Sequence, residues 1–391
     1  MRVVVCGAGI AGLALANQLA RLGAEVVLLE RAAGPRAQGY MIDFFGAGYD
    51  AVEKMGLLPA IEQVAYFVEE AALFDERGRR RAAVQYRQFA RSLRGRLLSI
   101  MRPDLERVLR EHLPSTVDLR FGAALTGVAD RGDGVLVTLA DGTELAADLL
   151  VGADGIHSTV RGLVFGEERK FLRYLGFHTA AFQFEAPRLH AALGGRFNLT
   201  DTMGRQLGLY ALRDNRIAAF TVHRAPDPAL PEDVRAALRE NYGGLSWLAP
   251  AALENCPPAA EIYYDQVAQV ELPSWHRGRV VLVGDACYAV SLLAGQGASL
   301  GIAGAYLLAH QLDQAPRIED ALAAYERRWR PVAEEKQQVA RSGARWFLPE
   351  SPTRLRLRRL ALRASRLPLV DRVVAQTLAG KPVTAIAELR S

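Results

Sequence analysis

Three cysteines in 391 residues are too few for a disulfide framework. Cys6, Cys256 and Cys287 form neither a C-x-x-C pair nor a zinc-ligand spacing, and so sparse and odd a set points to a reducing cytoplasm. No apolar run is long and unbroken enough to cross a bilayer. The most apolar stretch, 280–308, carries Asp285, Gln296 and five glycines and reads as strand, loop and helix. The first strand begins at Arg2, which leaves no room for a secretory leader ahead of it. Internal repeats and low-complexity segments are missing as well. A composition of 50% hydrophobic and 23% charged residues is globular, and the length suits two or three domains, or one elaborated domain, with a core that needs no staples. Acidic residues are scarce in one place only. Between residues 341 and 372, nine arginines face Glu350 and Asp371 alone, whereas the rest of the chain is close to neutral. This segment reads as an amphipathic helix with Leu355, Leu357, Leu360 and Leu362 toward the body and the arginines toward water. Nucleic acid and stable membrane insertion are not expected.

What is present begins at the N-terminus. Residues 3–5 read as a buried strand, Gly7-x-Gly9-x-x-Gly12 as a tight turn, and 13–22 as a helix. A second apolar run over 26–29 ends in Glu30. The first glycine permits the turn, the second lets a pyrophosphate approach the backbone, and the third lets helix close on strand. The helix N-terminus offers free N–H groups and a positive dipole end to phosphates. Glu30 stands where a carboxylate accepts hydrogen bonds from a ribose. The stretch therefore predicts dinucleotide binding.

Further along, 69–74 and 81–86 flank a hairpin turn, Met101-Arg102-Pro103 leads into a helix over 104–112, and 127–146 forms a β-meander. Residues 149–161 run from a buried strand into Asp154-Gly155 and then a helix start that contains Arg161. Residues 171–184, 206–211 and 217–222 suggest an antiparallel sheet, followed by a helix over 232–242 and a strand over 262–270. An apolar strand then ends in Gly284-Asp285-Ala286. Gly295-Gln296-Gly297 opens a helix to about residue 312, and another helix covers 321–339.

Three motifs thus stand in order: the glycine turn, Asp154-Gly155 and Gly284-Asp285-Ala286 with Gly295-Gln296-Gly297. Their arrangement resembles the group A flavin-dependent monooxygenases, the para-hydroxybenzoate hydroxylase fold. Chain size and Met101-Arg102-Pro103-Asp104-Leu105 are most similar to the tetracycline-modifying and antibiotic-tailoring members. The resemblance covers residues 1 to about 339. It implies an α/β protein: a Rossmann-like FAD-binding domain at 1–170 and 262–315, an antiparallel-sheet substrate domain at 171–261, and C-terminal helices at 316–391. It implies FAD as cofactor, NADPH or NADH as co-substrate, and O2. The reaction would be hydroxylation of an aromatic or polyketide-like small molecule through a flavin C4a-hydroperoxide. The setting would be antibiotic biosynthesis or resistance, and the protein a monomer or weak dimer. The alternative is a flavoprotein oxidase or dehydrogenase of the same fold in natural-product tailoring.

The resemblance also implies roles for residues. Gly7, Gly9, Ala11 and Gly12 would meet the FAD pyrophosphate, Glu30 with Arg31 the adenosine ribose, and Arg102 and Asp43 other parts of FAD. Asp285 would hold the ribityl or pyrophosphate region. Gly295, Gln296, Gly297, Ala298 and Ser299 would run along the isoalloxazine, where a helix dipole stabilises negative charge on a reduced ring. Asp154 would bridge FAD and NAD(P)H handling, and Arg36 would dock NAD(P)H. The chemistry would be flavin-driven, with no metal and no protein nucleophile. Gln183, Arg196, Asn198 and Tyr210 on the sheet, and Leu292 on the loop before Gly295, are the expected substrate contacts. His223 reads as a surface histidine rather than a base. Three departures from the family stand out. Tyr288 replaces a frequent histidine, the segment from Ala289 to Leu292 has no proline to stiffen it, and Gly304 stands where many relatives carry aspartate.

Overall fold

The computed structural model describes residues 1–36, 38–291, 295–364 and 383–389. Val3, Val4 and Val5 are fully buried, as a β-branched run in a sheet covered on both faces should be. Their strand, Arg2–Cys6, lies in the middle of a six-stranded sheet. The order is His276–Arg277, Val280–Leu282, Leu149–Gly152, Arg2–Cys6, Glu25–Glu30, Asp118–Phe121, parallel throughout except for the short first strand. The three strands that carry the sequence motifs are therefore immediate neighbours, with Val3 opposite both Leu149 and Val26. Parallel pairing sets their carboxyl ends at one edge, where open α/β sheets bind ligands. Helices Ile10–Arg21 and Gly297–Gln314 pack on each other over this sheet. The meander Leu125–Asp130, Val135–Leu139, Glu144–Ala147 forms a separate three-stranded sheet.

The second unit is a seven-stranded sheet: Tyr263–Val270, Leu172–Glu185, Arg216–Arg224, Arg205–Ala211, Arg196–Thr200, Glu70–Phe74, Arg80–Gln85. It is wider than the expected 171–261 span. Tyr263–Val270 covers one edge, and the early hairpin covers the other, where Arg196–Thr200 pairs in parallel with Glu70–Phe74. The hairpin buries Ala72 and the adjacent Ala82 and Ala83, so its second strand is covered on both faces there.

The C-terminal segment corrects one expectation. Helix Ile318–Phe347 is longer than the 321–339 stretch, and Pro352–Ala364 follows it. In the latter, Leu357 and Leu360 are 55% and 64% exposed, and Arg358 is buried instead. The reason is Asp201, whose carboxylate is fully buried and pairs with both Arg358 and Arg359. Arg358 also donates to the Phe347 carbonyl at 2.5 Å. Pairing a fully buried carboxylate outweighs the placement of two leucines. Asp201→Asn, which keeps the shape and removes the charge, is expected to lower stability by about 1.5–3 kcal/mol, read as a fall in thermal midpoint. An unchanged midpoint would mean that the helix does not depend on this anchor. Residues 365–382, part of the basic stretch, lie outside the described residues. Among the described residues no helix is long and apolar enough to cross a membrane.

Candidate active site

The three neighbouring strand ends, at Gly7, Asp154 and Gly284-Asp285, open on one cleft of about 550 Å³ between the parallel sheet and the seven-stranded sheet. Helix Ile10–Arg21 starts at Gly9 with no side-chain cap and no acidic residue in its first turn, and Gly297–Gln314 starts the same way. Helices usually fill these places with Ser, Asp or Glu. Their omission at both ends leaves N–H donors and two positive dipole ends turned toward the cleft. Gly12 stands behind the wall. A Cβ there would lie 1.9 Å from the Gly7 carbonyl oxygen, so only glycine lets the helix close on the turn.

Glu30 is set by its own backbone surroundings. It accepts from the Ala8 N–H at 3.1 Å and the Ala32 N–H at 2.9 Å. Arg36 approaches the same carboxylate at 3.5 Å, which places it at this end of the cleft. Deeper in, Arg102 pairs with Glu106 one helical turn on, at 2.8 Å. Burial pushes the Glu106 carboxyl above its ordinary range, and Arg102 opposes the shift. Asp154 accepts from the Ser158 hydroxyl at 2.5 Å and the Val160 N–H at 3.1 Å, which ties the turn to the helix that follows it. Asp285 is open to the cleft, and the walls around it raise its carboxyl.

Of the sequence expectations, Gly7, Gly9, Ala11, Glu30, Arg31 and Arg36 line this cleft at one end. Arg102, Asp154, Asp285, Gly295, Gly297 and Ala298 line the remainder. Gln296 and Ser299 are buried just behind it, and the Ser299 hydroxyl accepts from the Phe45 N–H at 3.4 Å. Asp43 is not brought in. Its carboxylate accepts from the Tyr86 and Ser99 hydroxyls, each at 2.8 Å, and burial raises its pKa.

The expected substrate contacts on the sheet also lie outside the lining. Asn198 donates to the Leu193 and Arg196 carbonyls, and the Tyr210 hydroxyl accepts from the Met41 N–H at 2.5 Å. Gln183 and Arg196 line no part of the cleft either. Strand order accounts for Tyr210, Arg196 and Asn198: Tyr263–Val270 and Leu172–Glu185 are the strands beside the cleft, and Arg205–Ala211 and Arg196–Thr200 lie beyond them; Gln183 is on Leu172–Glu185 but outside the lining. Leu292 falls outside the described residues. His223 is buried, not on the surface, and is bonded to the Tyr242 hydroxyl at 3.0 Å. Burial, with His178 beside it, pushes it down to about 4, so it is neutral and no acid for the cleft.

In place of those residues the sheet presents Thr179, Tyr263, Asp265 and Gln266, with Tyr40 facing Tyr263 at a ring separation of 5.9 Å. Tyr263 and Asp265 share one face of a strand by period-two spacing, and Glu106 follows Arg102 by one helical turn. Both spacings are visible in the sequence. What the sequence did not hold is that this strand, and no other, would form the wall.

Residues 1–340 match the FAD binding domain family. An uncharacterized protein of Mycobacterium tuberculosis is 34% identical over 321 residues, which span 80% of this chain and 85% of that protein. The FAD-dependent monooxygenase asL4 of Sarocladium schorii is 29% identical over 387 residues, 90% of this chain and 89% of its own. Among solved structures, tetracycline destructase Tet(51) superposes with a TM-score of 0.81 at 26% identity, covering 98% of this chain and 99% of that one.

Proposed function

The chain belongs to the FAD binding domain family, among the flavin-dependent monooxygenases, and from that premise we propose that it uses NAD(P)H and O2 to place one oxygen atom on an aromatic or polyketide-like small molecule. The observation that carries this reading is the convergence of two uncapped helix N-termini and Glu30 on a single cleft walled by a second sheet.

The donor set fits FAD. The N–H groups that follow Gly9 would take the pyrophosphate, Glu30 the adenosine ribose, and Asp285 the ribityl hydroxyls. The start of Gly297–Gln314 would set its positive dipole end against the ring. Bound there, FAD supplies the electron transfer and oxygen activation that no side chain in the cleft can supply. The protein's part is to orient and to exclude water. Tyr40 and Tyr263 line the cleft with their rings 5.9 Å apart, and Gln266 offers a neutral hydrogen-bonding group from the sheet. Arg36 and Arg31 would give an anionic co-substrate its approach at the open end. The three cysteines are free and buried, which suits a reducing cytoplasm.

The test is NADPH and NADH oxidation by the purified protein across a panel of phenols, polyketides and tetracyclines, with product mass. Stimulated oxidation with a gain of one oxygen supports the reading. Substrate oxidation that releases peroxide without NAD(P)H would replace it with an oxidase. At the cofactor, Glu30→Ala is expected to weaken FAD retention by about 1.5–3 kcal/mol, or roughly ten- to a hundredfold, read as flavin absorbance per chain after dialysis. Unchanged flavin content would remove Glu30 from the site.

A further inference from the structure

His157 follows the Asp154-Gly155 turn and stands where the two units meet, its side chain 39% exposed. Its Nδ1 lies 3.0 Å from a Glu168 carboxylate oxygen, and its Nε2 lies 3.1 Å from a carboxylate oxygen of Asp265. An ionised carboxylate only accepts. Two carboxylates on the two ring nitrogens therefore require both nitrogens to carry protons, which makes the ring an imidazolium.

The two partners belong to different units. Glu168 is held on the dinucleotide side by Arg161, at 2.9 Å. The Arg161 guanidinium is fully buried and also donates to the carbonyls of Ile156 and Ala286. It thus ties the second sequence motif to the third. Asp265 belongs to the cleft wall, where its carboxylate also accepts from the Gln266 N–H at 2.8 Å and the Tyr263 hydroxyl at 3.4 Å.

From this geometry we infer that His157 is a positioning residue, a positively charged pin that holds the sheet wall of the cleft against the dinucleotide unit. A neutral imidazole carries one N–H and could donate to only one of the two carboxylates, so the other would face a ring lone pair. Release of the proton therefore removes one of the two links, and with it a restraint on how Asp265 and its neighbours Tyr263 and Gln266 sit across the cleft from Asp154. The pin requires no flavin.

The groups that face the ring are Asp265 and Tyr263 from the strand and Glu168 from the short helix, with Arg161 behind Glu168 and Asp154 in the preceding turn. The Asp265 hydrogen bond foremost, then Glu168, lifts the imidazole from its ordinary 6.5 to about 9 against the opposing effect of burial. Because the folded value lies above the unfolded one, the stabilisation is fully present below about pH 6.5. It fades as pH rises through about 9.

The test uses the full chain as purified. The histidine Cε1–H resonances are followed by NMR from about pH 5 to 10, and His157 is assigned by the signal missing from His157→Gln. Its resonance is expected to titrate near 9, well above an ordinary histidine. Asp265→Asn and Glu168→Gln should each bring it down by about one unit, a tenfold change in proton affinity. In parallel, the wild-type thermal midpoint should fall more between neutral pH and pH 10 than that of His157→Gln. A His157 resonance that titrates near 6.5, or identical pH dependence of melting in wild type and His157→Gln, would overturn the pin. Neither readout depends on flavin, so a failure here is distinct from a failure of the monooxygenase reading.

Discussion

Gly12→Ala is expected to leave the protein almost without flavin. The added methyl group would stand 1.9 Å from the Gly7 carbonyl oxygen and 3.3 Å from the Ala153 side chain. Both neighbours belong to strand ends in the middle of the parallel sheet, so neither can retreat. The helix must move instead, and its first-turn N–H groups leave the place where the pyrophosphate would lie. Overpacking of a core costs about 1–3 kcal/mol, which a protein of this size can bear. Withdrawing several charge-assisted hydrogen bonds costs the ligand more. A fall in FAD affinity of about a hundredfold or more, about 3 kcal/mol, is the expected result, with circular dichroism near that of wild type. Full flavin retention by a folded Gly12→Ala protein would move the phosphate site elsewhere.

The second large effect concerns Gly304 and Tyr288, two positions that the resemblance singled out and that meet in the fold. A Cβ on Gly304 would lie 2.0 Å from the Tyr288 hydroxyl and 2.7 Å from the Trp329 indole nitrogen. Tyr288 occupies the space that a side chain at position 304 would need. Its ring packs on Trp275 at 4.9 Å, and its hydroxyl reaches the Leu300 carbonyl at 3.4 Å and the Tyr325 hydroxyl at 3.5 Å. Gly304→Asp alone would force a carboxylate into filled, buried space, at a cost of about 4 kcal/mol or more. Such a loss could consume most of a domain's stability, and the expected readout is a collapse in soluble yield or thermal midpoint. Tyr288→His alone vacates the space and should cost about 2–4 kcal/mol. The double variant brings together the two residue types that the family resemblance led us to expect at these positions. It should be more stable than the sum of its parts by about 2 kcal/mol. Strict additivity would mean that the two positions changed independently.

What was legible in the sequence was local chemistry. The glycine turn, Asp154-Gly155 and Gly284-Asp285 each encode a strand end and a tight turn within a few residues, so their meeting at one sheet edge followed from parallel pairing alone. Glu30, Arg102, Asp285 and Gly297 line the cleft for that reason. The sheet wall was not legible. Several strands of the second unit are apolar over long runs, and which of them faces the cleft is decided by strand order, a long-range property. Tyr263 and Asp265 therefore form the wall in place of Arg196 and Asn198. The arginine-rich helix failed for a related reason. Leucine and arginine alternate too closely there for periodicity to choose a face, and the choice is made by Asp201, 157 residues earlier in the chain than Arg358. His157 lay in plain view beside the second motif, but its charge comes from Asp265, 108 residues away.

The most direct measurement is a spectroscopic titration of the purified full chain with FAD, alongside Gly12→Ala. The cleft described here predicts that the chain takes up one FAD, with a shifted and protein-bound flavin spectrum, and that Gly12→Ala does not. A colourless chain that cannot be reconstituted with FAD, or uptake that Gly12→Ala leaves unchanged, would contradict it.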